Sequence, residues 1–474
     1  MRGRLISTGI QRFKYVASDY VMSAAAFIVF NIYRYFAFHV GDYGVSLSRY
    51  LTSPKLILEE CLIPVVLLGL YWLSGYYNKP FDRSRLQEFV TTLFSAVIST
   101  LLIFIALLIN DTVSEHYLNY KILATLFLLM LLFTYTSRYA ITQTAINRFA
   151  DRRWCINTII IGNSKAARVS AYSLARSDSR LGYNIMAFVN IPGERQVNDG
   201  QRVLDFDELS EFCRRTKADQ LLLVPEIRDD KRVLSLLDRL FHLDIPIKIA
   251  PDTLSFVTSG IRLQDIYGEP FVDLSSPACS ESSKNVKRLL DVVISAMVLT
   301  IFSPLYLLIA ILVKRSSPGP VIYSQERIGY RQKPFMIYKF RSMRVDAETD
   351  GPKLSSEADS RVTPWGRTMR KYRLDELPQF WNVLKGDMSL VGPRPEREFF
   401  IRRIVERAPY YTLLQQVHPG ITGWGMVKYG YASNIEQMIE RLRFDLIYIS
   451  NMSTLVDLKI LIYTVKTVVT GRGV

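Results

Sequence analysis

The sequence predicts a membrane α plus α/β chain in three parts. A four-helix transmembrane segment (residues 1–150) leads into an α/β module built on a parallel sheet (151–282). A second α/β domain (283–474) begins with a broken membrane helix. Three observations predict this. The mean hydropathy is +0.12 despite a net charge of +15, and four apolar runs crowd the first third. Short β-type runs then alternate with helical ones. A fifth apolar run is split by Ser303-Pro304 between two basic ends.

The four runs lie near Ala17–Val40, Pro54–Tyr76, Glu88–Asn110 and Leu118–Thr136. Each is close to the length of about 20 apolar residues that spans a bilayer core as a helix. Basic flanks set orientation. Arg2, Arg4, Arg12 and Lys14 precede the first run, and Lys79, Arg83 and Arg85 follow the second. Arg138, Arg148, Arg152 and Arg153 follow the fourth, whereas "DTVSEHY" (111–117) has no Lys or Arg. The alternation places everything after Arg138 at the cytoplasmic face. No small-residue cleavage site follows the first apolar run, so a signal peptide is not expected.

From Cys155 to Ser282 the β-type runs "INTIIIG", "YNIMAFVN", "DQLLLVPE" and "IPIKIAPD" alternate with "DFDELSEFCRRTK" and "DKRVLSLLDRLFHL". This is the βαβ pattern of a parallel sheet. A dinucleotide fingerprint needs three glycines and an acid at the end of the second strand. Here only Gly162 is in place. Ser164 and Ala167 take the other positions, and Asn190 ends the second strand. A structural or regulatory Rossmann-like module is the expectation.

The fifth run, Leu289–Val313, is long enough to span, but Lys284, Lys287 and Arg288 precede it and Lys314 and Arg315 follow it. Proline inside a helix removes a donor and kinks the chain. Residues 287–313 are therefore expected to bend at Ser303-Pro304 and return to the same face. Asp291 is spaced to pair with Lys287 and Arg288 at the interface.

Residues 284–474 carry 29 Lys and Arg against 17 Asp and Glu, which is +12 of the total charge. Such a local excess implies a phosphate-rich partner. The membrane segments and the lack of a nucleic-acid motif argue for anionic lipid and a phosphorylated substrate, with no nucleic acid. Cys61, Cys155, Cys213 and Cys279 form no CxxC pair, and the four histidines have no ligand spacing. This excludes a disulfide framework and a zinc site.

"DELPQFWNVLKG" reads as one helix, with Asp375 as its N-cap and an apolar stripe of Leu377, Phe380, Trp381 and Leu384. Asp375 and Glu376 admit two readings: a cap with a favourable first-turn acid, or a reactive pair. Arg370, Lys371, Arg373 and Arg394 surround them. A helix N-terminus and clustered cations keep a carboxylate ionised. An ionised Asp beside Mg²⁺ can attack phosphorus. The pair also supplies the one or two carboxylates that Mg²⁺ takes alongside substrate phosphates. "YKFRSM" puts Lys339 and Arg341 on one strand face. Two prolines stiffen the backbone around Arg394 in "GPRP", which suits a bidentate phosphate contact. "DLKILIYTVKTVV" (457–469) suits either a membrane-surface helix or a core helix.

"KRLLDVVISAMVLTIFSPL", "SPGPVIYSQERIGYRQKPFMIYKFRSM", "RLDELPQFWNVLKGDMSLVGPRP", "HPGITGW" and "DLKILIYTV" together resemble the bacterial sugar transferase family over residues 284–474. These are monotopic polyprenyl-phosphate sugar-1-phosphate transferases of the bacterial inner membrane. The N-terminal half is similar to that of the long-chain members. The resemblance implies a re-entrant helix broken at Ser303-Pro304 and a catalytic domain on the cytoplasmic face. It implies that Asp375 attacks the sugar-bearing phosphate of a UDP-sugar, UMP leaves, and undecaprenyl phosphate takes the sugar phosphate. This is the initiating step of exopolysaccharide, capsule or O-antigen synthesis. Glu376 completes the dyad, Lys339, Arg341, Arg370 and Arg394 bind substrate, and Mg²⁺ is the cofactor. Inner-membrane lipids and a second copy in a homodimer are the remaining implied partners. "GWGMVKYG" (423–430) differs from the Ala-Gln-Val-Asn-like run of many members, so the resemblance implies the reaction and not the sugar.

Overall fold

The computed structural model describes residues 7–37, 44–81, 85–110, 116–176, 182–194, 197, 200–226, 230–249, 272–273, 279–345, 347, 359–430 and 432–470. Of the predicted orientation markers, Arg2, Arg4, Arg83 and residues 111–115 lie outside these. So do residues 38–40 of the first predicted run and the end of "IPIKIAPD". The chain divides into two compact units. One is Met1–Ile156 with Asp178–Tyr183 and Ser280–Asn285. The other is Asn157–Ser177, Asn184–Cys279 and Val286–Val474.

The first unit holds helices α1 (Thr8–Ala37), α2 (Leu47–Leu51), α3 (Pro54–Leu73), α4 (Arg85–Asn110) and α5 (His116–Ala150). Among the described residues four of these are long and apolar enough to cross a membrane. Phe27, Phe30, Leu67, Tyr71, Leu126 and Met130 fill the core between them, while Leu58, Leu62, Phe94 and Leu128 face outward. One predicted marker needs correcting. Arg138 does not flank a helix end: α5 continues for three more turns, and Arg138 is fully buried. Its guanidinium takes both oxygens of Asp19 at 2.8 Å, reaches Thr92 at 3.1 Å and stacks on Tyr71 and Tyr76. A charge in an apolar bundle persists only when paired in this way.

In the second unit, strands β1 (Ile156–Ile161), β2 (Tyr183–Val189), β3 (Val203–Leu204), β4 (Gln220–Leu223), β5 (Ile247–Ile249) and β6 (Val272–Asp273) form one sheet in the order 3-2-1-4-5-6. The pairs β1–β4, β4–β5 and β2–β3 are parallel, and β6 runs antiparallel at the edge. Helices α6 (Lys165–Arg176), α7 (Leu209–Thr216) and α8 (Asp230–Phe241) connect the strands. The central strands are buried on both faces, as parallel strands under helices must be.

Next come α9 (Glu281–Ile301) and α10 (Ser303–Ser316), whose axes differ by 63°. Pro304 sits in the first turn of α10, where its missing N–H costs nothing, yet it cannot continue α9. The start of α9 departs from the predicted interfacial ion pairs. Asp291 is buried and accepts the Leu390 N–H at 3.0 Å, and Lys287 pairs instead with Asp457 at 2.7 Å.

Strands β7 (Ile322–Ile328) and β8 (Pro334–Phe340) then form an antiparallel hairpin. Helices α11 (Pro364–Lys371) and α12 (Gln379–Lys385), strand β9 (Ser389–Val391) and helix α13 (Glu398–Arg407) follow. The chain ends with strand β10 (Gly420–Thr422) and helices α14 (Trp424–Lys428), α15 (Ile435–Ser450) and α16 (Thr454–Val469). β9 and β10 pair in parallel at the centre of a core that includes Val383, Leu390, Ile404, Leu442 and Ile460. α16 buries Asp457 and Ile460 but exposes Leu455, Leu458, Ile462, Val465 and Val469 along one face.

Candidate active site

The predicted single helix from Asp375 is in fact two pieces. Arg373 adopts a left-handed conformation (φ 53°, ψ 25°) after α11 and turns the chain into a 3₁₀ segment, Leu374–Glu376. α12 starts four residues beyond Asp375, with Pro378 at its N-cap position and no side-chain cap. Asp375 is therefore not a cap, and that reading falls. The apolar stripe is also corrected. α12 buries Gln379, Asn382 and Val383, while Trp381 is exposed. The reason is Asn382, which accepts the Tyr338 N–H at 3.1 Å and donates to the Met336 carbonyl at 2.7 Å. Those bonds dock α12 against β8. A non-glycine residue in the left-handed region costs about 1–3 kcal/mol and concentrates at functional sites. At Arg373 this conformation delivers Asp375 to the wall of a cavity, with Glu376 buried next to it.

The cavity has a volume of about 250 Å³. Lys339, Arg341, Arg370, Asp375 and Arg394 all line it, and Glu376 is buried and paired with two of these, Lys339 and Arg394. The six residues singled out in the sequence thus meet at one place. Lys339 Nζ is 3.2 Å from Glu376 Oε1, Arg394 Nη1 is 3.4 Å from the same oxygen, and Arg373 Nη1 is 3.4 Å from Oε2. Arg370 Nε donates to Ser342 Oγ at 3.0 Å. Gly366 allows this packing, because a Cβ there would lie 2.0 Å from the Ser342 carbonyl oxygen.

The two carboxylates are held differently. Burial alone would raise Glu376, but Lys339, Arg373 and Arg394 outweigh it and keep this carboxyl well below the usual carboxylate range. Burial raises Asp375, Lys339 opposes that rise, and the charge of Glu376 adds to it. The sequence expectation that clustered cations hold Asp375 ionised is therefore corrected: two of them, Arg373 and Arg394, close on Glu376 instead, together with Lys339. Neighbouring acids pushed apart in this way take different roles.

The far wall was not read from the sequence. Glu396 follows the "GPRP" turn and is buried, with Arg441 of α15 at 2.7 Å and Arg327 of β7 at 3.2 Å. Arg327 also donates to the Pro395 carbonyl at 3.2 Å, and the Pro393 carbonyl accepts the Gly420 N–H at 2.9 Å. These bonds fix the backbone on both sides of Arg394. The acid adjoining "GPRP" was the available signal. Arg441 gave none, because it meets Glu396 only through the fold.

Comparison with known proteins bears on this site. Residues 282–471 match the family described as bacterial sugar transferase. A UDP-glucose:undecaprenyl-phosphate glucose-1-phosphate transferase of Caulobacter vibrioides is 42% identical over 188 residues, 39% of this chain and 70% of that protein. The chain belongs to the bacterial sugar transferase family. An N-acetylgalactosaminephosphotransferase of Aeromonas hydrophila that acts with UDP-N-acetylgalactosamine and undecaprenyl phosphate is 44% identical over 188 residues. That match covers 40% of this chain and less than half, 44%, of the relative. An undecaprenyl-phosphate galactose phosphotransferase of Salmonella typhimurium is 28% identical over 452 residues, 90% of this chain and 91% of the relative. The residues matched in the family include the whole dyad turn, the "GPRP" turn and both halves of the bent helix pair.

Residues 73–251 match a family described as CoA-binding domain. The turn after β1 does not fit such a group. Asn163 donates to Asn190 at 3.0 Å and accepts from Arg168 at 2.6 Å, while Ser164 Oγ takes the Ala167 N–H at 3.3 Å. The side chains of this turn are thus engaged with one another. At the dyad, Asp375 and Glu376 offer hard carboxylate oxygens, and no group of three or more His, Cys, Asp or Glu is assembled among the described residues. Such a pair fits Mg²⁺ that takes its other ligands from a diphosphate and water.

Proposed function

We propose that this member of the family transfers a sugar-1-phosphate from a UDP-sugar to undecaprenyl phosphate through a covalent phosphosugar–aspartate, and so initiates assembly of a bacterial surface polysaccharide. The observation that carries this reading is the unequal dyad. Glu376 absorbs three cations, and Asp375 stands beside it in the cavity wall without serving as a helix cap. In the first step an Asp375 oxygen forms a bond to the sugar-bearing phosphorus, the P–O bond to the second phosphate breaks, and UMP leaves with that electron pair. In the second step a phosphate oxygen of the lipid forms the new P–O bond and the Asp375 carboxylate is released. Lys339, Arg370 and Arg394 offset the charge that develops on the phosphoryl oxygens. Mg²⁺ held by Asp375, Glu376 and the diphosphate would supply further neutralisation of that charge.

The same reading takes α9 and α10 as a re-entrant pair that enters and leaves one leaflet, with the catalytic domain on the cytoplasmic side of the inner membrane. The bend at Pro304 and the basic residues Lys314 and Arg315 support it. The apolar face of α16 then lies along the headgroups. The parallel-sheet module, with its Rossmann-like strand order and self-filled first turn, acts as a structural or regulatory unit. Purified protein in vesicles, given undecaprenyl phosphate and a panel of UDP-sugars, is expected to release UMP with at least one of them. No release across the panel, from folded protein with Mg²⁺ present, counts against the reading.

A further inference from the structure

Arg341, a buried guanidinium of the cavity wall, faces no carboxylate among the described residues. Lys339 and Arg394 face Glu376, and Arg327 and Arg441 face Glu396. Arg341 is 5% exposed. Its Nη2 donates to the Ser317 carbonyl oxygen at 2.6 Å and to Ser317 Oγ at 3.0 Å. Its Nε and Nη1 are buried with no acceptor among the described residues. A buried, unpaired charge with orphaned donors is costly, and a fold keeps one where an anion arrives to complete it.

The position of Arg341 says which anion. Ser317 is the first residue beyond α10, and Lys314 Nζ reaches the Gly319 carbonyl oxygen at 3.2 Å. Arg341 Nη1 rests on the bare face of Gly319 (φ 123°), where a Cβ would lie 2.2 Å away. Arg341 also lines the cavity. The site is thus at the foot of the apolar helix that exposes Leu307, Leu308 and Ile311. We infer that Arg341, with the Ser317–Gly319 turn, is the subsite for the phosphate of the lipid acceptor, the tail lying along α10 and the head meeting the guanidinium. The inference rests on the proposed two-step transfer. It separates the acceptor phosphate at Arg341 from the donor diphosphate at Lys339, Arg370 and Arg394.

The two half-reactions test it. Full-length protein in vesicles is labelled with radiolabelled UDP-sugar alone and then chased with polyprenyl phosphate or with inorganic phosphate. For Arg341→Gln, discharge by polyprenyl phosphate should fall about 10- to 100-fold, as expected for lost hydrogen bonds to a charged group. Labelling should change far less, and Arg341→Lys should recover part of the discharge rate. Gly319→Ala, which pushes on the guanidinium without removing it, should show the same split. If Arg341→Gln does not fold, Arg341→Lys and Gly319→Ala carry the test. A loss of labelling equal to the loss of discharge would assign Arg341 to the donor phosphates and overturn the inference. So would an unchanged discharge rate, or wild-type discharge no faster with polyprenyl phosphate than with inorganic phosphate. Failure of the wild type to label at all would instead sink the two-step reading.

Discussion

Replacing Glu396 by Gln tests the wall behind Arg394. The Glu396 and Arg441 side chains are 5% and 7% exposed, and Arg327 shares the carboxylate at 16%. Removing one partner of a buried pair costs about 3–5 kcal/mol, because the remaining charge stays buried. Gln keeps the shape and one acceptor oxygen, so a loss near the lower end, about 3 kcal/mol, is expected. Glu398→Gln is the control: its pair with Arg402 is 55% and 75% exposed, and such pairs are worth about 0.5 kcal/mol or less. Hydrogen exchange over the 392–397 turn and α15, with urea unfolding in micelles, reads the difference locally and globally. Loosening of the turn also frees Arg394, so UMP release should fall with it. The triple change Glu396→Leu, Arg441→Met and Arg327→Met, which replaces the whole ion triad, should recover much of the stability but not the activity. An effect of Glu396→Gln no larger than that of Glu398→Gln would refute the reasoning.

Three further outcomes are expected. Asp445 is raised to about 6 by burial, against the Arg441 charge and the Gly425 N–H. The native carboxyl therefore holds its proton up to about pH 6, whereas the unfolded one loses it near pH 3.9. Stability should fall as pH rises between those values, and Asp445→Asn should flatten that segment of the pH profile. Glu376 has the opposite sign: its contribution is present above the ordinary carboxylate range and is lost only in stronger acid. Gly366→Ala puts a Cβ 2.0 Å from the Ser342 carbonyl oxygen, so α11 and Arg370 must shift. UMP release should drop about 100-fold, the order expected for a misplacement of about 1 Å, and normal turnover would show that the packing does not matter. In a background lacking Cys61, Cys155, Cys213 and Cys279, single cysteines at Lys284 and Ser316 should both resist labelling from outside the cell. Labelling at Ser316 alone would make α9–α10 a true span.

The parts of the fold that a local pattern specifies were legible in the sequence. The four apolar helices, the β runs of the sheet and the break at Pro304 all follow from periodicity, β-branched runs and proline. Contacts made by charges across the fold were not legible. Arg138 looked like a flank because its partner Asp19 lies 119 residues away. Asp291 sat at the right spacing for Lys287, yet the backbone of β9 claims it. The short strands β3 and β6 have two residues each, too few to carry a pattern. At the site, five of the six side chains singled out from the sequence line one cavity and the sixth, Glu376, pairs with two of them, but their division of labour was hidden. A cap and a nucleophile look alike in "RLDELP". The left-handed turn at Arg373 separates the two readings, and nothing in the side chain of Arg373 announces it.

The central claim is that Asp375 becomes covalently phosphorylated by the sugar phosphate. Wild-type protein incubated with a radiolabelled UDP-sugar and Mg²⁺, without lipid acceptor, should retain about one label per chain, as a single nucleophile requires. Peptide mass spectrometry should find the added phosphosugar on the peptide that contains Asp375, and polyprenyl phosphate should discharge it. Asp375→Asn should fold normally, since this side chain caps no helix, and should carry no label and release no UMP. Glu376→Gln should slow labelling without moving its position. A folded Asp375→Asn variant that turns over like wild type, or a label mapped to any other residue, would contradict the account.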